Sequence, residues 1–223
     1  MTGLAGMDLL AARRSQAIQQ WQQKTGGADL YVTVGMGTCG LAAGAAESLA
    51  AIEEEIARRN LKAVINRVGC VGMCSYEPQV ELKAAGRPHI NYGQATAANV
   101  PEIFAAYFDG GPLQKAVEVG WVAETQTRHN GGSLRSLVFN APPAEGAPGA
   151  DHYDQRIGFH AKQLRIVLSN CGLIDPESID DYLAQDGYSG LVKALTTMTP
   201  EEVIAEMRSE EHTSELQSHM DIS

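Results

Sequence analysis

Three cysteines in glycine-rich loops are the residues of this chain with the clearest chemistry. Cys70 and Cys74 stand four apart in Gly69-Cys-Val-Gly-Met-Cys74. Cys39 lies in a second such loop, Gly35-Met-Gly-Thr-Cys-Gly40. Thiolates are soft, anionic ligands suited to iron–sulfur clusters. A cluster also needs backbone N–H groups aimed at its sulfurs, and glycine lets the backbone come that close. Each loop directly follows a β-rich run, Leu30 to Val34 or Lys62 to Val68. If both strands end at one edge of one sheet, the two loops meet there. The fourth cysteine, Cys171, stands far along the chain in Ser-Asn-Cys-Gly. It reads as a small buried residue at a turn rather than a ligand.

The elements that must hold these loops follow from periodicity and punctuation. Leu9, Leu10, Ala17, Ile18 and Trp21 recur at threes and fours, which predicts a helix over 7–23. A helix over roughly 42–59 carries Ala45, Leu49, Ile52 and Ile56 on one face. Strands are expected at Gln79 to Lys83 and His89 to Tyr92, joined by a Gly86-Arg87 turn. A helix at 100–108 has Pro101 in its first turn and Gly110-Gly111 after its end. The order is β-α-β-loop-β-β-α. Residues 111–155, with Gly131-Gly132 and Ala141-Pro-Pro-Ala-Glu-Gly-Ala-Pro148, read as a linker without a core of its own. Beyond Arg156, a strand is expected at Leu164 to Leu168. A helix capped by Asp175 should run to Gln185, and a short helix should span 189–196. The Thr199-Pro-Glu-Glu202 capping box should start another helix.

Bulk properties narrow the function. The 223 residues carry a formal net charge of −10, which argues against nucleic acid as the main partner. No stretch of about 20 apolar residues suggests a membrane span, and no secretory leader is read at the N-terminus. Four cysteines without an export signal fit reduced thiols in a cytoplasmic protein, where metal or redox roles are favoured over structural disulfides. Arg208-Ser-Glu-Glu-His-Thr-Ser-Glu-Leu-Gln-Ser-His219 and the residues after it look like the in-frame translation of a sequencing-library adapter. Residues 209–223 hold four of the acidic side chains and no Lys or Arg. They are set apart from the fold as a disordered artefact.

Several other features have plain structural readings. His152 and His160, near Tyr153, Arg156 and Phe159, read as polar surface. His89 reads as a strand residue. Gly35-x-Gly-x-x-Gly40 matches a dinucleotide fingerprint in form only, because a cysteine occupies the loop and no acidic residue ends the next strand near 66. Glu53-Glu-Glu55 with Arg58-Arg59 reads as a solvated helix face.

Two blocks carry a family resemblance. Val34-Gly-Met-Gly-Thr-Cys-Gly-Leu-Ala-Ala-Gly-Ala45 and Gly69-Cys-Val-Gly-Met-Cys-Ser-Tyr-Glu-Pro78 resemble the thioredoxin-like [2Fe–2S] ferredoxin. That module often opens NADH-binding flavoprotein subunits of NAD(P)-linked hydrogenases, formate dehydrogenases and complex I relatives. Arg165-Ile-Val-Leu-Ser-Asn-Cys-Gly-Leu-Ile-Asp-Pro-Glu-Ser-Ile-Asp-Asp-Tyr182 and 187–204 resemble the lead-in to their flavin-binding domain.

The resemblance implies an α/β fold. It divides into an N-terminal helix (1–27), a thioredoxin-like ferredoxin domain (28–110), the linker (111–155) and a small, mostly helical lead-in (156–208). It implies Cys39, Cys70 and Cys74 as iron–sulfur ligands. The family's fourth cysteine position is occupied by Val34. The cofactors implied are a [2Fe–2S] cluster here and FMN, NAD(H) and [4Fe–4S] beyond Met207, in a flavin domain absent from this sequence. The implied role is electron transfer within an NADH dehydrogenase-type subunit, from NADH through FMN to iron–sulfur centres and partner subunits. This stretch alone should show no NADH oxidation. The alternative is a cluster-free docking module. A Cys70–Cys74 thiol redox pair is a further reading.

Overall fold

The computed structural model describes residues 3–24, 27–129, 132–140 and 168–208. Six strands form one sheet in the order β2-β1-β3-β4-β5-β6. β1 (Leu30–Gly35) pairs in parallel with β2 (Ala63–Val68). Such a pair needs a crossover, and two helices supply it, α2 (Thr38–Ala42) and α3 (Ala45–Arg58). On its other side β1 pairs antiparallel with β3 (Val80–Ala84), and β3 with β4 (Ile90–Gly93). α4 (Val100–Asp109) follows and ends at Gly110, whose φ of 72° is a left-handed conformation that glycine adopts without strain. This is the expected α/β order, with the first helix split in two.

Strand alternation divides the sheet into an apolar and a polar face. Leu30, Val32, Val34, Val80, Leu82, Ile90 and Tyr92 are buried in one cluster with Ala45, Leu49 and Ile52 of α3 and Ile103, Phe104 and Tyr107 of α4. This is the main core. The opposite face carries a cross-strand row. Asn66 pairs with Thr33, Thr33 with Glu81, and Glu81 with Asn91. Glu81 is buried, and its two oxygens meet His89 Nε2 and the Asn91 side-chain amide, each at 3.1 Å.

Several expectations shift. Residues 117–140, inside the stretch read as a linker, form a long hairpin, β5 (Val117–His129) and β6 (Gly132–Asn140). It extends the sheet beyond β4. Backbone ladder bonds drive strand formation here, and the Gly-Pro composition expected to prevent it is concentrated after residue 140. Helix starts earlier than expected after β1, so Cys39 lies within α2 and not in the loop before it. Gly44, at φ 98°, separates α2 from α3. Glu55 is not a solvated residue. It is 6% exposed and holds Arg58 and Arg59, and Arg59 also reaches Asp109 of α4 at 2.8 Å. Arg59 thereby ties the C-terminal ends of α3 and α4 together.

The second segment starts with turns at 168–174, followed by α5 (Ile179–Ala184), α6 (Ser189–Thr197) and α7 (200–208). Ser178, not Asp175, caps α5, its hydroxyl accepting from the Asp181 N–H. Asp175 instead accepts from the Glu177 N–H, in a local turn. The Thr199 capping box forms as expected. The Thr199 N–H donates to Glu202 Oε2 at 2.8 Å and the Glu202 N–H to Thr199 Oγ1 at 3.3 Å. α1 (Gly3–Lys24) lies against α5. Arg13 pairs with Asp180 at 2.8 Å, and Arg14 donates to the Gly187 carbonyl. The strand expected at Leu164 to Leu168 lies mostly outside the described residues. His152, Tyr153, Arg156, Phe159, His160 and the tail at 209–223 lie wholly outside them. No helix among the described residues is long and apolar enough to cross a membrane.

Candidate metal centre

β1 and β2 run parallel, so both strand ends deliver their following loops to one edge of the sheet. The loops touch. A Cβ placed on Gly37 would lie 2.9 Å from the Cys70 backbone nitrogen, so only glycine fits at that approach. Within the second loop, Cys70 Sγ and Cys74 Sγ are 3.5 Å apart. The Gly72 N–H donates to Cys70 Sγ at 3.2 Å, and Gly72 has the positive φ of 90° that bends the loop back. Burial pushes the Cys70 thiol above its ordinary pKa, partly offset by the Gly72 N–H, which favours the thiolate.

Two thiolates on one tetrahedral metal at ~2.3 Å stand about 3.8 Å from each other. The Cys70–Cys74 separation is close to that edge, so the pair fits the bite of a single metal ion. A [2Fe–2S] cluster needs a second ligand pair on its other iron. Cys39 is exposed on α2. Val34, which the sequence reading expected at a fourth ligand position, is 0% exposed and points into the main core. Among the described residues, no group of three or more His, Cys, Asp or Glu is placed to hold a metal ion. The residues present therefore supply one thiolate edge and do not fit a four-thiolate cluster. Cys171 lies in the 168–174 turn, as expected, but is half-buried, not buried.

A polar pocket adjoins the cysteine edge and was not anticipated. Thr33, Glu77, Gln79, Glu81 and Asn91 line a small cavity with Gly69 and Val71. Glu77 accepts from the Gln79 backbone N–H at 2.9 Å and from its side-chain amide at 3.2 Å. Burial nevertheless raises its carboxyl pKa. Gln79 Oε1 and Asn91 Oδ1 are buried without a hydrogen-bond partner. The signal in the sequence was the alternation of Glu77, Gln79 and Glu81, but which face of the strand they occupy depends on tertiary packing.

The second segment closes over this region. Leu173 packs with Val71, Met73, Tyr76 and Val119, and its carbonyl accepts from the Asn66 side-chain amide at 3.0 Å. The loop that carries the cysteines is thus clamped between the polar sheet face and the 168–174 turn.

No family model matches the chain. Over 43 residues it is 70% identical to the NADP-reducing hydrogenase subunit HndC of Solidesulfovibrio fructosivorans, a match spanning 19% of this chain and 9% of that relative. Over 123 residues it is 24% identical to the NADP-reducing hydrogenase subunit HndB of the same organism, spanning 54% of this chain and 96% of the relative. Among solved structures, the thioredoxin-like [2Fe–2S] ferredoxin from Aquifex aeolicus superposes with a TM-score of 0.33 and 22% identity, over 39% of this chain and 93% of the ferredoxin. A second structure of that ferredoxin gives 0.35 and 20%, over 43% and 94%. The chain is thus similar to two subunits named for one hydrogenase, of which it spans nearly all of one and a small part of the other.

Proposed function

We propose that this chain is part of an electron-transfer subunit of an NAD(P)-linked, hydrogenase-type complex, and that its thioredoxin-like unit is a docking module within it. The observation that carries the first half is the similarity to both HndB and HndC in one polypeptide. In this reading one chain joins a thioredoxin-like unit to the start of a flavoprotein subunit. The second half rests on the ligand set. Val34 faces the core, and among the described residues the Cys70–Cys74 pair stands without a second. In this reading, partner subunits of the complex bind the unit, and the 156–208 region leads into a domain that would carry FMN, NAD(H) and [4Fe–4S].

A second reading is favoured by the 3.5 Å separation of Cys70 and Cys74. Cys39, Cys70, Cys74 and one non-thiolate ligand would then hold a [2Fe–2S] relay.

Anaerobic purification, iron and acid-labile sulfide analysis, and EPR before and after dithionite separate the two. Absence of iron in a folded sample supports docking. About two irons with a reduced-cluster signal would establish the relay and end the docking reading. For the complex itself, Cys70→Ser and Cys74→Ser introduced into the assembled enzyme should leave subunit assembly and NAD(P)H oxidation intact if the unit only docks.

A further inference from the structure

The two thiols of the second loop are set up for chemistry that needs no metal. Cys70 Sγ and Cys74 Sγ are in contact at 3.5 Å, and both cysteines are free. Among the described residues, no other pair of cysteine sulfurs stands in such contact. A disulfide bond is ~2.05 Å, so closure requires a modest approach. Gly69 and Gly72 place no side chain in the way, and a Cβ at either position would meet nothing within 4 Å. Access is also graded. Cys74 is exposed, whereas Cys70 is half-buried.

We propose that in the metal-free chain Cys70 and Cys74 form a reversible intramolecular disulfide, so that this loop is a dithiol–disulfide exchange site for small-molecule disulfides. The Cys74 thiolate attacks one sulfur of the disulfide RSSR. A Cys74–S–SR bond forms and the first thiol leaves, taking up a proton. The Cys70 thiolate then attacks the Cys74 sulfur, forming Cys70–S–S–Cys74 and expelling the second RSH. Two protein thiols are oxidised and one external disulfide is reduced, with both protons leaving on RSH. The Gly72 N–H donates to Cys70 Sγ and holds that sulfur on the Cys74 side of the loop bend. Cys39 lies on α2, outside the loop, and remains a free thiol. The inference goes beyond the docking reading and does not depend on it. The same two sulfurs can hold a metal edge or an S–S bond, not both.

The test uses the full metal-free chain and oxidised glutathione. After incubation, free thiols are capped with N-ethylmaleimide and the protein is cut with trypsin. Residues 68–83 lie between Arg67 and Lys83 and contain both cysteines. This peptide should appear unlabelled and lighter by two hydrogens, and the free thiols should fall from four to two per chain. Dithiothreitol should restore all four. Cys74→Ser should instead leave Cys70 labelled or carrying a single glutathione. A peptide with two labels, a peptide with two glutathiones, or a cross-link from Cys70 or Cys74 to Cys39 would each overturn the proposal. Iron analysis of the chain as purified, before any metal is removed, tests the function reading separately, because neither outcome of the peptide assay depends on it.

Discussion

At the scale of the residue, Val34 decides how the cysteine loops are understood. That the resemblance sets it at a ligand position was legible in the sequence. Its orientation was not, because alternation alone does not say which face of a strand meets the core. With Val34 fully buried among Val32, Val80 and the α3 side chains, Val34→Cys should leave the iron content per chain unchanged. It should also cost about 1 kcal/mol of stability for the lost packing. Iron analysis beside a urea titration reads both, and an increase in bound iron would mean that this strand turns toward the loop edge. Glu77 gives a second expectation at this scale. Burial raises its carboxyl above the ordinary 4.5. The folded chain then keeps a proton that the unfolded chain has released, so stability falls as pH rises from about 4.5 through the raised folded value. Glu77→Gln should flatten that part of the profile, and unfolding midpoints measured across the acid-to-neutral range should converge on the wild type at the acid end. Superimposable profiles would show that Glu77 does not contribute.

At the scale of the element, the helices and strands around the cysteines were legible because each had a period and a terminator. α1, β1, β2, β4, α4, α6 and the capping box of α7 lie close to where spacing placed them. The hairpin β5–β6 was not legible. Its strands form where they can extend an existing sheet edge, and that depends on a neighbour that no local window contains. The entry to this hairpin has its own clamp. Glu102 on α4 accepts from the backbone N–H groups of Gln114, Lys115 and Ala116 at 2.6, 2.9 and 3.1 Å. Burial pushes its pKa up, but these donors outweigh that and hold it below 4.5. The stabilisation is therefore present above about pH 4.5 and is lost as pH falls through the lowered folded value. Glu102→Ala should cost of order 1 kcal/mol at neutral pH, and the deficit should shrink in acid. A deficit independent of pH would assign the effect to packing instead.

At the scale of the whole molecule, the N-terminal helix and the second segment hold one another across most of the sequence. Arg13 meets Asp180, and Arg14 meets the Gly187 carbonyl and, at 3.5 Å, Asp186. Ala17 is buried in the same region. Removal of residues 1–26 should therefore raise amide hydrogen exchange at 175–188 while leaving β1, β3 and β4 protected. Unchanged exchange in α5 would show that α5 is held by other contacts. None of this was readable from either segment alone, since the two partners lie more than 150 positions apart in the numbering.

The row of Asn66, Thr33, Glu81 and Asn91 across four strands also acts as a ruler for assembly. Side chains alternate with a period of two, so a slip of one position in β3 would send Glu81 into the apolar layer and expel Val80 and Leu82 from it. The neighbouring alignments of this sheet are thus far worse than the native one, and a nascent chain that pairs them wrongly meets a steep penalty instead of a trap. Proofreading of strand pairing is built into the same carboxylate and amide that line the pocket beside the cysteines.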